Sequence, residues 1–265
     1  MQYFKHIIRR VFVIYNYFCF VFVFLLLFPF IFYFSRKPSR YYQLDQIRKI
    51  WAFLGCALSG IFIKTDYEEG LDKNFLENHP ESLIYCSNHA SFLDILVMSQ
   101  VAQGVFFYMG KKSLEKNPIL RIFFKTIDIA FIRENKTDSY KAFKKAGENL
   151  DRGMSLIIFP EGSITANPPQ MRSFKSGAFK LAIEKEIPII PVSILNSWDI
   201  FYSEGQSGAK PGIIRAFVHK PVYKNVYSAD PERELKERVY SMIQTKIQDY
   251  MNQLPMEEDW ATSNS

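Results

Sequence analysis

Residues 11–34 read VFVIYNYFCFVFVFLLLFPFIFYF without one charged side chain. Nothing else in the chain restricts its fold as much, because a run this apolar has to be covered by protein or by lipid. Coiled as a helix it is about 36 Å long, enough for a hydrocarbon core of about 30 Å with some tilt. It outruns the roughly 7–15-residue core of a signal peptide, and no small-x-small cleavage pattern follows it. A retained helical anchor is expected, with Pro29 the place for a kink. Lys5, Arg9 and Arg10 precede the run; Arg36, Lys37 and Arg40 follow, extended by Arg48 and Lys49. The heavier second flank puts the remainder of the chain on the cytoplasmic side of an inner, cytoplasmic membrane.

The chain has 265 residues and net charge +6, but residues 1–34 hold three Lys/Arg and no acids. Residues 35–265 therefore carry 30 basic against 27 acidic residues, a net +3. There is no long Lys/Arg run, which argues against a nucleic-acid partner and suits a surface resting on anionic lipid. Three cysteines, Cys19, Cys56 and Cys86, are too few for a disulfide scaffold and fit a reducing compartment. A second apolar stretch, Ile50–Ile63, has 14 residues, too few to span a bilayer easily. It reads as a helix lying either at the interface or in the core.

From residue 82 onward, short β-rich runs alternate with helical patterns. The runs are Ser82–Cys86, Val105–Met109, Ile127–Ile132, Ser155–Phe159, Ile187–Ile194 and Ile213–His219. Helices are expected over Phe92–Ala102, Tyr140–Leu150 and Phe174–Glu186, and from the Asp230-Pro231 start signal onward. Such alternation predicts an α/β fold: a central, mostly parallel sheet flanked by helices, preceded by a transmembrane helix and a short interfacial helix. The expected divisions are an anchor at 1–40, an interfacial segment and linker at 41–80, an α/β domain at 81–254 and a flexible tail at 255–265. Gly205–Gly212 reads as a loop.

Of four histidines, only His89 directly follows a predicted strand and precedes a predicted helix, in SNHASFLD. Strand ends facing helix starts are where α/β sheets put their ligands. Ser91 and Asp94 fit a capping box, which sets Asp94 in the first helical turn. Across that turn Asp94 can hold one imidazole nitrogen while the other faces a substrate hydroxyl. Taken singly, a structural histidine and a plain capping acid are the blander readings. Cys86 and His89 lack further metal-ligand neighbours, so no metal is expected, and Ser91 lacks a nucleophile elbow. A second cluster, Phe159-Pro160-Glu161-Gly162-Ser163, ends a buried strand in a turn with one carboxylate. Lys175 stands at the opening of the helix that follows, and Arg133 ends another strand with a fork suited to phosphate. Together these residues suit a phosphate-bearing alcohol.

Asn88-His89-x4-Asp94 followed by Phe159-Pro160-Glu161-Gly162 resembles the glycerolipid acyltransferase family, whose best-known members are 1-acyl-glycerol-3-phosphate acyltransferases. Lys111–Leu114, Phe131-Ile132-Arg133, Phe174–Gly177 and Ile187–Val192 resemble its remaining blocks, in order, so the resemblance covers roughly residues 80–200. It implies a membrane-bound O-acyltransferase with His89 as general base and Asp94 orienting it. Phe159, Pro160, Glu161, Gly162, Arg133 and Lys175 would line the acceptor site, with Glu161 on the glycerol backbone and Arg133 on the phosphate. The implied acceptor is a lysophospholipid, foremost 1-acyl-sn-glycerol-3-phosphate giving phosphatidic acid. The donor would be acyl-CoA or an acyl-carrier protein, with no bound cofactor. The family often has an arginine where this chain has Ile164, which keeps other lysolipid acceptors open, such as an ornithine-lipid precursor. A lipid hydrolase and a non-catalytic membrane scaffold are the readings from other classes.

Overall fold

A computed structural model describes residues 2–79, 82–202 and 208–254. Helix α1 spans Gln2–Ser35, and after a 3-10 turn α2 spans Tyr41–Leu58. Then follow β1 (Ile61–Tyr67), α3 (Lys73–Glu77), β2 (Ile84–Ser87), α4 (Asp94–Val101), β3 (Phe106–Lys111), α5 (Pro118–Phe124) and β4 (Ile129–Phe131). Next come α6 (Lys136–Asp151), β5 (Ser155–Ile158), α7 (Gly177–Lys185), β6 (Ile189–Ile194) and α8 (Ser197–Ile200). The chain closes with the two-residue strands β7 (Phe201–Tyr202) and β8 (Gly208–Ala209), then β9 (Gly212–Val218) and α9 (Pro231–Gln253).

The continuous apolar runs become strands covered on both faces. Every residue of β2 and β6 is buried, as central strands of a parallel sheet require. The sheet order is β1-β9-β6-β2-β5-β3-β4, and every neighbouring pair is parallel except β9 against β6. Two helical layers cover it. On one side α2 packs against α1, α4 and β1; on the other α6, α7 and α9 pack against one another and the sheet.

The stretch Ile50–Ile63 is not one helix. Its first part ends α2, and Ile61–Ile63 open β1. Gly60 lies between them at φ +63, a left-handed conformation that glycine adopts without a Cβ penalty and that stops the helix. Of the expected loop Gly205–Gly212, residues 208–209 form β8 and Gly212 opens β9, while 205–207 lie outside the described residues, as does the tail 255–265.

Helix α1 runs unbroken through Pro29 and pairs antiparallel with α2. Trp51 Nε1 donates to the Phe20 carbonyl at 2.9 Å, and Tyr15 Oη donates to the Leu58 carbonyl at 3.0 Å. The division drawn at residue 40 thus falls inside one packed hairpin. The outer face of α1 stays apolar and exposed through Ile14, Phe18, Phe22 and Leu25. Its Ile7–Ser35 portion is the one helix among the described residues long and apolar enough to cross a membrane.

A buried ionic cluster ties α2 to the sheet. Strand β4 pairs with β3 only from Met109 onward. Before that point the amides of Phe106 and Tyr108 donate to Asp45 Oδ2 at 2.8 Å and Asp128 Oδ1 at 2.9 Å. Arg48 binds both carboxylates, and its Nη2 also reaches the Phe106 carbonyl at 2.8 Å. Burial pushes the Asp45 carboxyl up to about 6, against the pull of Arg48. Carboxylates here stand in for a strand, so backbone groups that would otherwise be buried unpaired are satisfied.

Candidate active site

The loop after β2 carries His89 to the rim where the strands end. Asn88 anchors it: its side-chain amide donates to the Ile194 carbonyl at 2.9 Å and accepts from the Ile194 amide at 2.8 Å. The loop is thereby tied to the end of β6. Helix α4 starts at Asp94 itself rather than just after Ser91. Half of the expected capping box forms: Asp94 Oδ2 accepts from the Ser91 amide at 2.8 Å. The other half does not. Ser91 Oγ instead accepts from the Leu93 amide at 3.3 Å and donates to the Phe201 carbonyl at 2.8 Å, so Ser91 is buried and engaged.

Asp94 is fully buried and surrounded by donors. Oδ2 also accepts from the Ala90 amide at 2.7 Å and lies 2.9 Å from His89 Nδ1, while Oδ1 accepts from Ser197 Oγ at 2.5 Å. A carboxylate oxygen already receiving two amide protons can only accept from the imidazole, so Nδ1 carries the proton and Nε2 presents its lone pair. Phe159 fixes the ring plane, stacked on His89 with centroids 4.1 Å apart and planes 17° apart.

The Phe159–Gly162 turn folds against this loop through its glutamate. Glu161 is buried; Oε1 accepts from the His89 amide at 2.8 Å and Oε2 from the Arg172 amide at 2.7 Å. Burial pushes its carboxyl above the ordinary range, against the two amides that favour the charge. Both Glu161 oxygens thus accept from backbone amides, one of them that of His89 itself, and Glu161 lines neither of the two cavities at the rim. Gly162 has φ +84, and a Cβ there would lie 3.0 Å from Lys175 Cε and 3.2 Å from Arg133 Nη1. Its missing side chain lets both cations close over the turn. The Arg133 guanidinium donates to the Gly162 carbonyl, and partial burial draws its pKa down.

Two cavities meet at this rim. One, of about 380 Å³, lies on the α2–α4 side. His89, Arg133, Gly162, Ser163 and Ile164 stand at its rim and Phe92, Ile95, Leu120, Phe123 and Trp51 along its walls, with Arg48 of α2, Ser99 of α4, Tyr108 of β3 and Asp128 just before β4 also in its lining. The other, of about 290 Å³, lies on the α6–α7 side between Phe131, Phe143, Ile158 and Leu181, with Pro160 and Lys175 in its lining. Met109, Arg133, Phe159 and Gly162 line both. The structure thus brings His89, Asp94, Phe159, Pro160, Glu161, Gly162, Arg133 and Lys175 together, with Glu161 behind His89.

Residues 70–195 match the family model described as Acyltransferase. The match takes in His89, Asp94, Arg133, Phe159–Gly162 and Lys175 but not Ser197. A chloroplastic 1-acyl-sn-glycerol-3-phosphate acyltransferase of Brassica napus is 27% identical over 181 residues, covering 67% of this chain and 49% of the relative. The protein named 1-acyl-sn-glycerol-3-phosphate acyltransferase in Haemophilus influenzae is 29% identical over 175 residues, covering 62% of this chain and 68% of the relative. The chain spans about half the length of the chloroplast relatives it matches. The crystal structure of the 1-acyl-sn-glycerophosphate acyltransferase PlsC from Thermotoga maritima superposes with TM-score 0.75 at 19% identity, over 96% of this chain and all of that one, a shared fold.

Ser197 and Asn88 also hold the His89 loop and Asp94 in place, and neither contact was visible in the sequence. Asn88 stands beside His89 in sequence, but its partner Ile194 is 106 residues away. Ser197 meets Asp94 across 103 residues, and nothing local marks it. Of the other histidines, His219 is buried against Ser193 Oγ at 2.8 Å, and the side chain of His6 lies outside the described residues.

Proposed function

We propose that this protein is a membrane-associated O-acyltransferase that moves an acyl group from a thioester to the free hydroxyl of a lysophospholipid, foremost 1-acyl-sn-glycerol-3-phosphate, giving phosphatidic acid. The observation that carries this reading is the His89–Asp94 pair, Nδ1 lying 2.9 Å from Oδ2, at the mouth of an apolar cavity rimmed by Arg133. His89 Nε2 takes the hydroxyl proton as the acceptor oxygen attacks the thioester carbonyl. Asp94 stabilises the imidazolium. The tetrahedral intermediate expels the thiolate, which receives the proton from Nε2, so a C–O bond replaces a C–S bond. A base in this position supplies about 10²–10⁴-fold, and holding two substrates at one rim contributes much of the remainder.

The cavity's apolar walls suit an acyl chain, and Arg133 with Lys175 suits the acceptor's phosphate. The exposed apolar face of α1 would rest in lipid, where both acyl chains partition, with the α/β domain on the cytoplasmic side. The test offers the purified protein several lysolipids with one acyl thioester. Lysophosphatidate should be consumed, and Arg133→Ala should raise its KM more than the donor's. A wild type that uses zwitterionic lysolipid and ignores lysophosphatidate would overturn the acceptor.

A further inference from the structure

Two cations close over one missing side chain. Lys175 Nζ and Arg133 Nη1 stand 3.1 and 3.2 Å from the point where a Gly162 Cβ would lie, so they are within about 6.3 Å of each other. Among the described residues neither is in a salt bridge. Two unpaired like charges this close favour an anion between them. Both cations are in the lining of the 290 Å³ groove, on the α6–α7 side of the sheet. Its walls include Phe131, Phe143, Ile158, Ala178 and Leu181, and the first three are only half-buried, so apolar surface stands open beside the two charges.

The other polar side chain in the groove is Ser139, whose hydroxyl already reaches the Ile132 and Arg133 carbonyls at 3.4 Å. Amide groups of a pantetheine arm would find few side-chain partners among these walls, whereas an alkyl chain needs none. A single-chain lipid with an anionic head matches both features, the paired cations and the apolar walls. His89 lines the 380 Å³ cavity and not the groove. The acyl group being transferred must present its carbonyl at His89, which puts the donor's chain in the larger cavity. The acceptor needs only its hydroxyl there.

We propose that the groove is the binding site for the acyl chain that the acceptor already carries. Lysophosphatidate bridges the rim, with its phosphate between Arg133 and Lys175, its free hydroxyl at His89 Nε2 and its own chain between α6 and α7. The proposal rests on the acyl-transfer reading and assigns the product's two chains to opposite sides of the sheet. The acceptor's chain length is then read in the groove, independently of the donor's.

The test uses the full chain in nanodiscs and has a binding arm and a kinetic arm. Phe143→Trp puts an indole in the groove wall, and Trp51 already lines the other cavity. Lysophosphatidate brominated along its chain is added without any donor. The Phe143→Trp protein should lose fluorescence that the wild type keeps, and brominated phosphatidylcholine in the disc should not reproduce that loss. In the kinetic arm Ala178→Leu narrows the groove. It should raise KM for oleoyl-lysophosphatidate by about tenfold or more, with KM for the hexanoyl analogue and the preference among donor chain lengths as in the wild type. The binding arm decides if Ala178→Leu does not fold. Equal quenching of wild type and Phe143→Trp, or quenching by the brominated bilayer lipid, would overturn the proposal and leave the chain in the larger cavity or in the bilayer. So would a folded Ala178→Leu enzyme with a changed donor preference, or with KM for the two acceptors altered equally or not at all. Should the wild type use no thioester while the Phe143→Trp indole is still quenched, the acyl-transfer reading fails and the groove stands as a lysophosphatidate site.

Discussion

Glu161 offers a sharp test because two roles for it predict different kinetics. As a substrate ligand it would set acceptor affinity. As a brace it would hold the backbone on which His89 rides, through its 2.8 Å bond to the His89 amide and its 2.7 Å bond to the Arg172 amide. Glu161→Gln keeps the shape but turns one acceptor oxygen into a donor. Whichever amide then faces the new NH2 loses its partner and meets another donor. A hydrogen bond to a charged group contributes about 1.5–3 kcal/mol net. If that loss is felt as misplacement of His89, kcat falls by roughly 10- to 100-fold. The acceptor and donor KM values should change little and together. The assay is steady-state acylation of lysophosphatidate with either substrate varied, alongside thermal melting to show that the variant is folded. A selective rise in acceptor KM with kcat intact would refute the bracing role and return Glu161 to the acceptor.

Further expectations concern pH, the acceptor pocket and the hairpin. Burial pulls the His219 imidazole down to about 4, against an ordinary value of about 6.5. The unfolded chain therefore takes the proton first: stability is full above about pH 6.5 and declines as pH falls toward 4, by on the order of 3 kcal/mol. His219→Gln should flatten the melting temperature between pH 7 and 4.5, and an unchanged slope would exclude His219 as its source. Ile164 lines the cavity rim, so Ile164→Arg should preserve or tighten lysophosphatidate binding, by at most about 1.5–3 kcal/mol for a charge-assisted hydrogen bond. An acceptor KM that rises for lysophosphatidate but falls for a neutral lysolipid would contradict a phosphate monoester there. A Cβ on Gly55 would come within 2.3 Å of the Phe20 ring, so Gly55→Leu should part α1 from α2 and cost about 1–3 kcal/mol. Unaltered melting and unaltered protease resistance of α1 would show that the hairpin contact is not needed.

The strands were legible because their apolar runs are bounded by polar turns, and the ends of β2, β3, β4, β5, β6 and β9 lie within two residues of expectation. β1 was hidden because hydrophobicity continues from α2 into Ile61, and only the backbone of Gly60 marks the break. His89 and Asp94 could be read since their pairing is local, closed across one turn. Ser197 and the Arg48–Asp45–Asp128 cluster were not, since their partners lie across the fold and no local pattern encodes the approach. Glu161 shows a different limit. Its exposure at a turn suggests a ligand, and only the folded loops reveal that both of its oxygens are already spoken for.

The most direct measurement of the central claim is the initial rate of phosphatidic acid formation from lysophosphatidate and an acyl thioester, by wild type and by a folded His89→Ala variant. With His89 as the base oriented by Asp94, the wild type should form the product and the variant should lose about 10²–10⁴-fold in kcat. A His89→Ala enzyme that turns over at near wild-type rate, or a wild type that acylates no lysolipid from any thioester, would contradict the account.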